Sequence, residues 1–227
     1  MLPSSTVENY LKAIYHAQSR LEGARELVPM GQLSSALGVV PGTATTMVKT
    51  LADSGLVVYE PYSGVRLTAA GTRLAALVLR RHRLIELFLV QVMGMSWAEV
   101  HDEAEQLEHA VSDRLIERID EMLGRPSVDP HGDPIPDTEG VVPQMELQTL
   151  LTCPEEAPMI VSRVTDQDAG FLRFIEQSAL KPGQTLLVDS RDSAADRVVI
   201  RVGDGREVVL GMRAASKLLV EPVPARR

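Results

Sequence analysis

Three of the five histidines, His82, His101 and His109, fall in two short stretches crowded with carboxylates. His82 and Glu86 are four residues apart, so on a helix they share one face. His101, Glu105, Glu108 and His109 follow at i, i+4, i+7 and i+8, the spacing of a second such face. Carboxylates gathered on one face repel at short range. A divalent cation relieves that repulsion and takes the same atoms as ligands. The donors are nitrogen and oxygen without thiolate, which suits Mn, Fe, Co, Ni or Zn and disfavours soft ions. One His-x-x-x-Glu pair alone fits a solvated acidic helix. Two pairs, about one helical hairpin apart, read as a metal site. His131, in a Pro-His-Gly turn, reads as loop structure, His16 as an exposed helical residue and Trp97 as packing.

The elements that must position these residues divide the chain into regions of different character. Val7, Leu11, Ile14 and Tyr15 recur at helical spacing, predicting a helix from Thr6 to about Arg20 with Ser5 or Thr6 as its cap. A short helix from Met30 to Leu37 ends at Gly38, and Pro41 opens another from Thr43 to about Ser54, closed by Gly55. Two β-prone runs then flank Pro61-Tyr62-Ser63-Gly64, a hairpin by composition. Helix–turn–helix followed by a hairpin is the layout of a winged helix-turn-helix, assigned to residues 1–75. Its second helix would present Thr43, Thr45, Thr46 and Lys49 to a DNA groove, as phosphate, base-edge or thymine-methyl contacts. The alternative is an ordinary three-helix core, and Ala44, Met47, Val48 and Leu51 do form an apolar face.

From Ala69 to about Leu123 the pattern is helical throughout, with a break at Gly94 and a cap at Ser96. The stretch from Ala76 to Arg125 has six arginines against ten carboxylates, whereas residues 4–75 are close to neutral. A helical metal-binding and dimerisation segment is placed at 76–140. The Pro-, Gly- and Asp-rich run from Pro126 to Pro158 lacks helical periodicity and reads as partly ordered, with a tether at 141–157. Short strands at Met159–Val164, Thr185–Asp189, Arg197–Val202 and Glu207–Leu210, with a helix at Phe171–Ala179, predict a small SH3-like β-barrel over 158–227. The fold expected is mainly α with a small β part.

At 227 residues the chain can bury a sizeable core, built on aliphatic side chains because aromatics are only 4%. The net charge of −8 argues against nonspecific nucleic-acid binding by the whole molecule, though not against a local DNA-reading surface. One cysteine, Cys153, excludes an internal disulfide framework, and no signal-peptide-like or membrane-spanning run stands out. A cytoplasmic protein is expected, with no membrane and no small organic ligand implied.

Val-Glu-Asn-Tyr-Leu-Lys-Ala-Ile-Tyr (7–15), the helix-turn-helix, Arg-His-Arg-Leu-Ile-Glu (81–86), Val-His-Asp-Glu-Ala-Glu-Gln-Leu-Glu-His (100–109) and Pro-His-Gly-Asp-Pro-Ile-Pro (130–136) together resemble the diphtheria-toxin-repressor and manganese-transport-regulator family. The likeness extends to a C-terminal module similar to the SH3-like FeoA domain of longer members. It implies a metal-dependent repressor, homodimeric on palindromic operator DNA when loaded with Fe(II) or Mn(II), with Zn(II) or Co(II) as substitutes in vitro. Position by position it implies one site at His82, Glu86 and His101, and a second at Glu105, Glu108 and His109. Glu105 stands where iron-responsive members have a cysteine, which points to Mn(II) because glutamate is the harder ligand. Asn9 stands where the family takes a ligand from the first helix, and Lys12 where manganese regulators place a glutamate. The resemblance also implies a ligand from the C-terminal module, for which Asp168 is the choice, with Asp166 and Gln167 beside it.

Two other readings use the same residues. A metallohydrolase would use the His/Glu cluster to activate water, but it would want a general base outside the ligand set, and no His-Glu-x-x-His motif supplies one. A winged-helix regulator sensing a small molecule would leave the His/Glu faces structural.

Overall fold

The computed structural model describes residues 4–21 and 27–224. Three helices open the chain, α1 (Ser5–Gln18), α2 (Met30–Ala36) and α3 (Pro41–Asp53). Pro41 takes the first position of α3, where its missing N–H costs nothing. Gly38 and Gly55, at φ +64° and +72°, end α2 and α3 as the spacing predicts. The residue before α1 is Ser4, and no side-chain hydrogen bond caps that helix. The strands β1 (Val57–Glu60) and β2 (Gly64–Leu67) pair antiparallel from Val57↔Leu67 to Glu60↔Gly64, and Val28 bridges to Val65 on the other side. Leu11, Ile14, Leu33, Ala44, Val48, Leu51 and Val65 form the core of this winged head.

The chain divides into two compact units, Met1–His82 with Pro136–Val142, and Arg83–Ile135 with Pro143–Arg227. The boundary falls inside α4 (Ala69–Gln91), which carries His82 in the first unit and Glu86 in the second. In the first unit α4 is tied to α1 by a buried ion pair, Arg81 with Glu8 at 3.6 Å.

The second unit continues with α5 (Val100–Leu107) and α6 (Asp113–Met122). The continuous helical pattern expected from Ala69 to Leu123 is thus broken twice, at 92–99 and again at 108–112. Ser112 ends the second break by accepting the Leu115 N–H at 3.4 Å as the N-cap of α6. Leu84, Ile85, Leu87, Val100, Ala104, Ile116 and Ile119 pack together with Ile135.

A six-stranded sheet completes this unit: β3 (Gln148–Thr149), β4 (Met159–Val164), β5 (Thr185–Asp192), β6 (Arg197–Val202), β7 (Glu207–Leu210) and β8 (Leu218–Pro222), in the order β3-β8-β4-β5-β6-β7. The helix α7 (Ala169–Gln177) follows β4, and the single turn α8 (Met212–Ala215) follows β7. Strands β4, β6 and β7 match the sequence reading, while β3 and β8 are additional. No pairing joins β7 to β3 among the described residues, so the sheet is open rather than closed as a barrel. Its core holds Leu150, Cys153, Met159, Val161, Ile175 and Ile200, and also Trp97 and Ala98 from the α4–α5 connection. The stretch expected to be a tether therefore supplies β3 and two core residues.

Nor is the Pro/Gly/Asp-rich run before it loose. Val128 bridges to Pro134, Asp129 Oδ1 accepts the N–H groups of His131 and Asp133 at 2.8 and 2.9 Å, and Ile135 is buried. The same composition that suggests a linker is here turn chemistry, with a side chain satisfying the backbone.

Candidate metal centre

Helix α4 carries His82 and Glu86 one turn apart on its buried face, 5% and 0% exposed. Helix α5 carries His101 and Glu105, half-buried, and ends at Leu107. Glu108 is the buried C-cap of α5 and His109 lies in the turn beyond it. The expected single face of four residues is thus half helix and half turn, and the break at 108–112 decides where the last two point.

Three groups gather their ligand atoms within 4.8 Å of one another: His82–Glu86–His101, His82–Glu105–Glu108, and Glu86–Asp129–His131. The first is the set expected from the sequence. The second joins His82 to two members of the other expected set, whose third member, His109, has Nε2 3.4 Å from Glu108 Oε1. The third group was not expected, because His131 reads as a loop residue. Its signal in the sequence is faint, two polar residues in a proline-rich turn more than forty positions from Glu86.

Glu86 is common to two groups. Its Oε1 is 3.2 Å from His101 Nδ1, and its Oε2 is 3.8 Å from His131 Nδ1. His101 in turn places Nε2 3.7 Å from Glu105 Oε1, so it stands beside both acidic clusters. The loop of Asp129 and His131 is held from two sides within its own unit. Arg83, one residue after His82, donates to the Pro134 carbonyl and has Nε 3.7 Å from Asp129 Oδ2. On the sheet side, Arg163 of β4 pairs with Asp133, Gln167 donates to Asp133 Oδ2 at 3.2 Å, and Val164 N–H donates to the His131 carbonyl at 2.8 Å. Gly132 makes this approach possible: at φ +85°, a Cβ there would lie 1.9 Å from the Ser162 carbonyl oxygen.

Electrostatics in this loop are unusual. Burial, then the neighbouring charges of Asp133 and Glu86, push the Asp129 carboxyl up to about 7, against the opposing pull of His131 and Arg83. Burial pulls the His131 imidazole down, yet Glu86, Asp129 and the Trp97 carbonyl outweigh it and raise the ring above its ordinary value. His131 is fully buried, and Nε2 donates to the Trp97 carbonyl at 2.9 Å. His131 Nδ1 and Asp129 Oδ2 are buried with no hydrogen-bond partner. Such atoms cost roughly 1–3 kcal/mol each when left unsatisfied. Both belong to the third group, and both are satisfied if that group holds a cation. Imidazole and carboxylate donors around a buried carboxylate fit a divalent transition ion.

Asn9 lies half-buried on α1 of the first unit, and Lys12 is buried one turn on. Asp168 does not join the acidic groups: its Oδ1 caps α7 by accepting the Phe171 N–H at 2.9 Å. Its neighbour Asp166 pairs with Lys217, which holds that carboxyl below its ordinary value.

On α3, Thr43, Thr46 and Lys49 are exposed and Thr45 is half-buried, opposite the core residues Ala44, Val48 and Leu51. Thr45 and Thr46 donate their hydroxyl protons back to the Pro41 and Gly42 carbonyls at 2.9 and 3.0 Å. With the proton engaged, each hydroxyl offers a methyl group and an acceptor oxygen, so the expected role as phosphate donor narrows to base-edge acceptor or thymine-methyl contact. At the tip of the β1–β2 hairpin, Tyr62 is fully exposed.

Comparison with known proteins matches three family models in chain order. Residues 3–65 match the N-terminal DNA binding domain of iron dependent repressors, 68–137 their metal binding and dimerisation domain, and 148–222 the FeoA domain. The solved structure of a manganese-dependent transcriptional repressor in complex with manganese is 40% identical, with a TM-score of 0.85, covering 96% of this chain and all of that one. The iron-dependent repressor IdeR of Mycobacterium leprae is 28% identical over 96% of this chain and 97% of its own length. The transcriptional regulator MntR of Lysinibacillus sphaericus is 31% identical over 54% of this chain and 84% of its own. These relatives are transcription regulators, not hydrolases. With a winged head, a His/carboxylate centre and a FeoA module in the same order, this chain belongs to the diphtheria-toxin-repressor and MntR family of metal-dependent transcriptional repressors.

Proposed function

We propose that this chain represses transcription in response to Mn(II), in preference to Fe(II), acting in the cytoplasm as a homodimer on palindromic operator DNA. The observation that carries this reading is Glu86, a fully buried carboxylate with an imidazole facing each oxygen in a centre without thiolate. Cys153 is buried in the core of the sheet, with Arg191 Nη2 3.3 Å from its sulfur, and takes no part in the candidate groups. Hard oxygen donors with imidazole suit Mn(II), with Fe(II) second and Zn(II) or Co(II) as in vitro substitutes. The name of the 40% identical manganese-dependent repressor supports Mn(II).

The ligand assignment combines these groups with the sets that the family resemblance implies. Glu86, Asp129, His131 and His101 would hold one ion; His82, Glu105, Glu108 and His109, with the Asn9 amide oxygen as an added donor, would hold another. Bound metal supplies the positive charge that these crowded carboxylates lack. The chain's own residues do the rest. Arg81, next to His82, holds Glu8 of α1, so a shift of α4 at His82 moves a helix that forms part of the reading head's core. In the dimer that shift sets the spacing of the two α3 helices, which must approach about 34 Å, or a multiple, to meet successive major grooves. Thr43, Thr45 and Thr46 then read bases and Lys49 meets phosphate. The segments work as a winged reading head, a helical metal-binding and dimerisation segment, and a FeoA module whose open sheet braces the Asp129–His131 loop.

A mobility-shift assay on operator DNA tests this reading. Mn(II) should produce the shift at lower concentration than Fe(II), EDTA should abolish it, and His82→Ala and His109→Ala should each abolish the metal-dependent shift while leaving a folded dimer. A shift that persists in EDTA refutes metal activation.

A further inference from the structure

We propose that Trp97 is a positioning residue of the Glu86–Asp129–His131 group, fixing both the tautomer and the plane of the His131 imidazole. The proposal rests on the reading above that this group holds a divalent ion. Trp97 is the only tryptophan in the chain and is 2% exposed. Its carbonyl lies 2.9 Å from His131 Nε2. A carbonyl can only accept, so Nε2 carries the proton and a neutral ring keeps its lone pair on Nδ1. That is the nitrogen 3.8 Å from Glu86 Oε2, buried and without a hydrogen-bond partner. The Trp97 indole stacks on the imidazole with ring centroids 5.3 Å apart and planes 28° from parallel, which restrains rotation of the ring about its own axis.

The same indole belongs to the core of the FeoA sheet, and Lys181 places Nζ 5.1 Å from its centroid. Trp97 thus fastens His131 to the sheet independently of the backbone bond from Val164. A histidine ligand whose other nitrogen is held by a carbonyl has one nitrogen available and one orientation. Without the stack, the imidazole can turn and present either nitrogen to Glu86. A bulky aliphatic residue would fill the core at this position, but it would not set the ring plane.

Selective 15N-histidine labelling of the metal-free, full-length protein at about pH 9 tests this directly, with the His131 signals assigned by their loss in His131→Ala. The wild type should show the Nε2–H tautomer, Trp97→Phe should retain it, and Trp97→Leu should give a mixture of tautomers. Mn(II) titration by calorimetry should show one ion lost in His131→Ala. In Trp97→Leu that ion should bind about 10-fold to 100-fold more weakly, with rescue by Trp97→Phe. If His131→Ala keeps every ion at wild-type affinity, the metal reading of this group fails, whatever the tautomer. If His131→Ala loses the ion but the wild type shows the Nδ1–H tautomer, or Trp97→Leu binds as tightly as wild type, the role of Trp97 fails alone. Should Trp97→Leu not fold, the wild-type tautomer and the Trp97→Phe titration decide: an Nδ1–H tautomer, or weakened binding in Trp97→Phe, overturns the proposal.

Discussion

Gly132→Ala isolates the contact that seats the Asp129–His131 loop against β4. At φ +85° an L residue sits in left-handed space, a cost of roughly 1–2 kcal/mol. The new methyl would start 1.9 Å from the Ser162 carbonyl oxygen and 2.8 Å from Arg163 Cα. Both neighbours are backbone, so the loop must lift. Lifting it stretches the Val164 N–H bond to the His131 carbonyl, worth about 0.5–1.5 kcal/mol. Alanine also restricts the unfolded chain and returns about 0.4–1 kcal/mol. Together the three terms give a net loss of about 0.5–3 kcal/mol, near 2 at their midpoints, and 2 kcal/mol is roughly 4–8 °C in Tm for a protein of this size. Because the lifted segment carries Asp129 and His131, Mn(II) affinity should fall with it. Thermal melts followed by circular dichroism and calorimetric Mn(II) titration measure the two effects together. A variant that melts within about 1 °C of wild type and binds Mn(II) equally would show that the loop is not seated by this contact.

Thr46→Val keeps the methyl and removes the oxygen, so it should cost about 1–3 kcal/mol on operator DNA only if that oxygen accepts from a base, whereas Lys49→Ala should weaken operator and random DNA alike and lower the salt slope by about one. Equal losses on both DNAs for both variants would mean that α3 does not read sequence. Asp129 holds its proton up to about 7 in the metal-free protein, and a ligating carboxylate must be ionised. Mn(II) binding should therefore release close to one proton from Asp129 at about pH 6 and little at about pH 8, with affinity falling as pH drops through 7. Calorimetry in buffers of different ionisation enthalpy reads this, and a buffer-independent heat at pH 6 would contradict it. A chain ending near Gly140 loses the sheet core that buries Trp97 and Ala98. It should lose Mn(II) at the His131 group while still binding DNA, and wild-type Mn(II) stoichiometry would show that the module braces nothing.

The sequence by itself determines whatever is periodic or local. The winged head is legible because its apolar positions recur at helical spacing and Pro41, Gly38 and Gly55 mark its helix ends. His82 with Glu86, and His101 with Glu105, are legible for the same reason: within one helix, spacing in sequence is direction in space. That relation ends where the helix ends. The break at 108–112 follows from the packing of α5 and α6 and the Ser112 cap, so only the tertiary structure decides where Glu108 and His109 point. Strand β3 exists because it pairs with β8 some seventy residues away, and a two-residue strand has no period of its own to read; β8 is fixed chiefly by its pairing with β4. Asp129 and His131 meet Glu86 because Arg83, Arg163 and the Val164 amide hold a proline-rich turn against α4 and β4. The sequence shows a turn there and nothing of what it faces. Ligands carried on one helix are written in the chain's spacing, whereas ligands brought together by docking are chosen by long-range packing, which leaves no local trace.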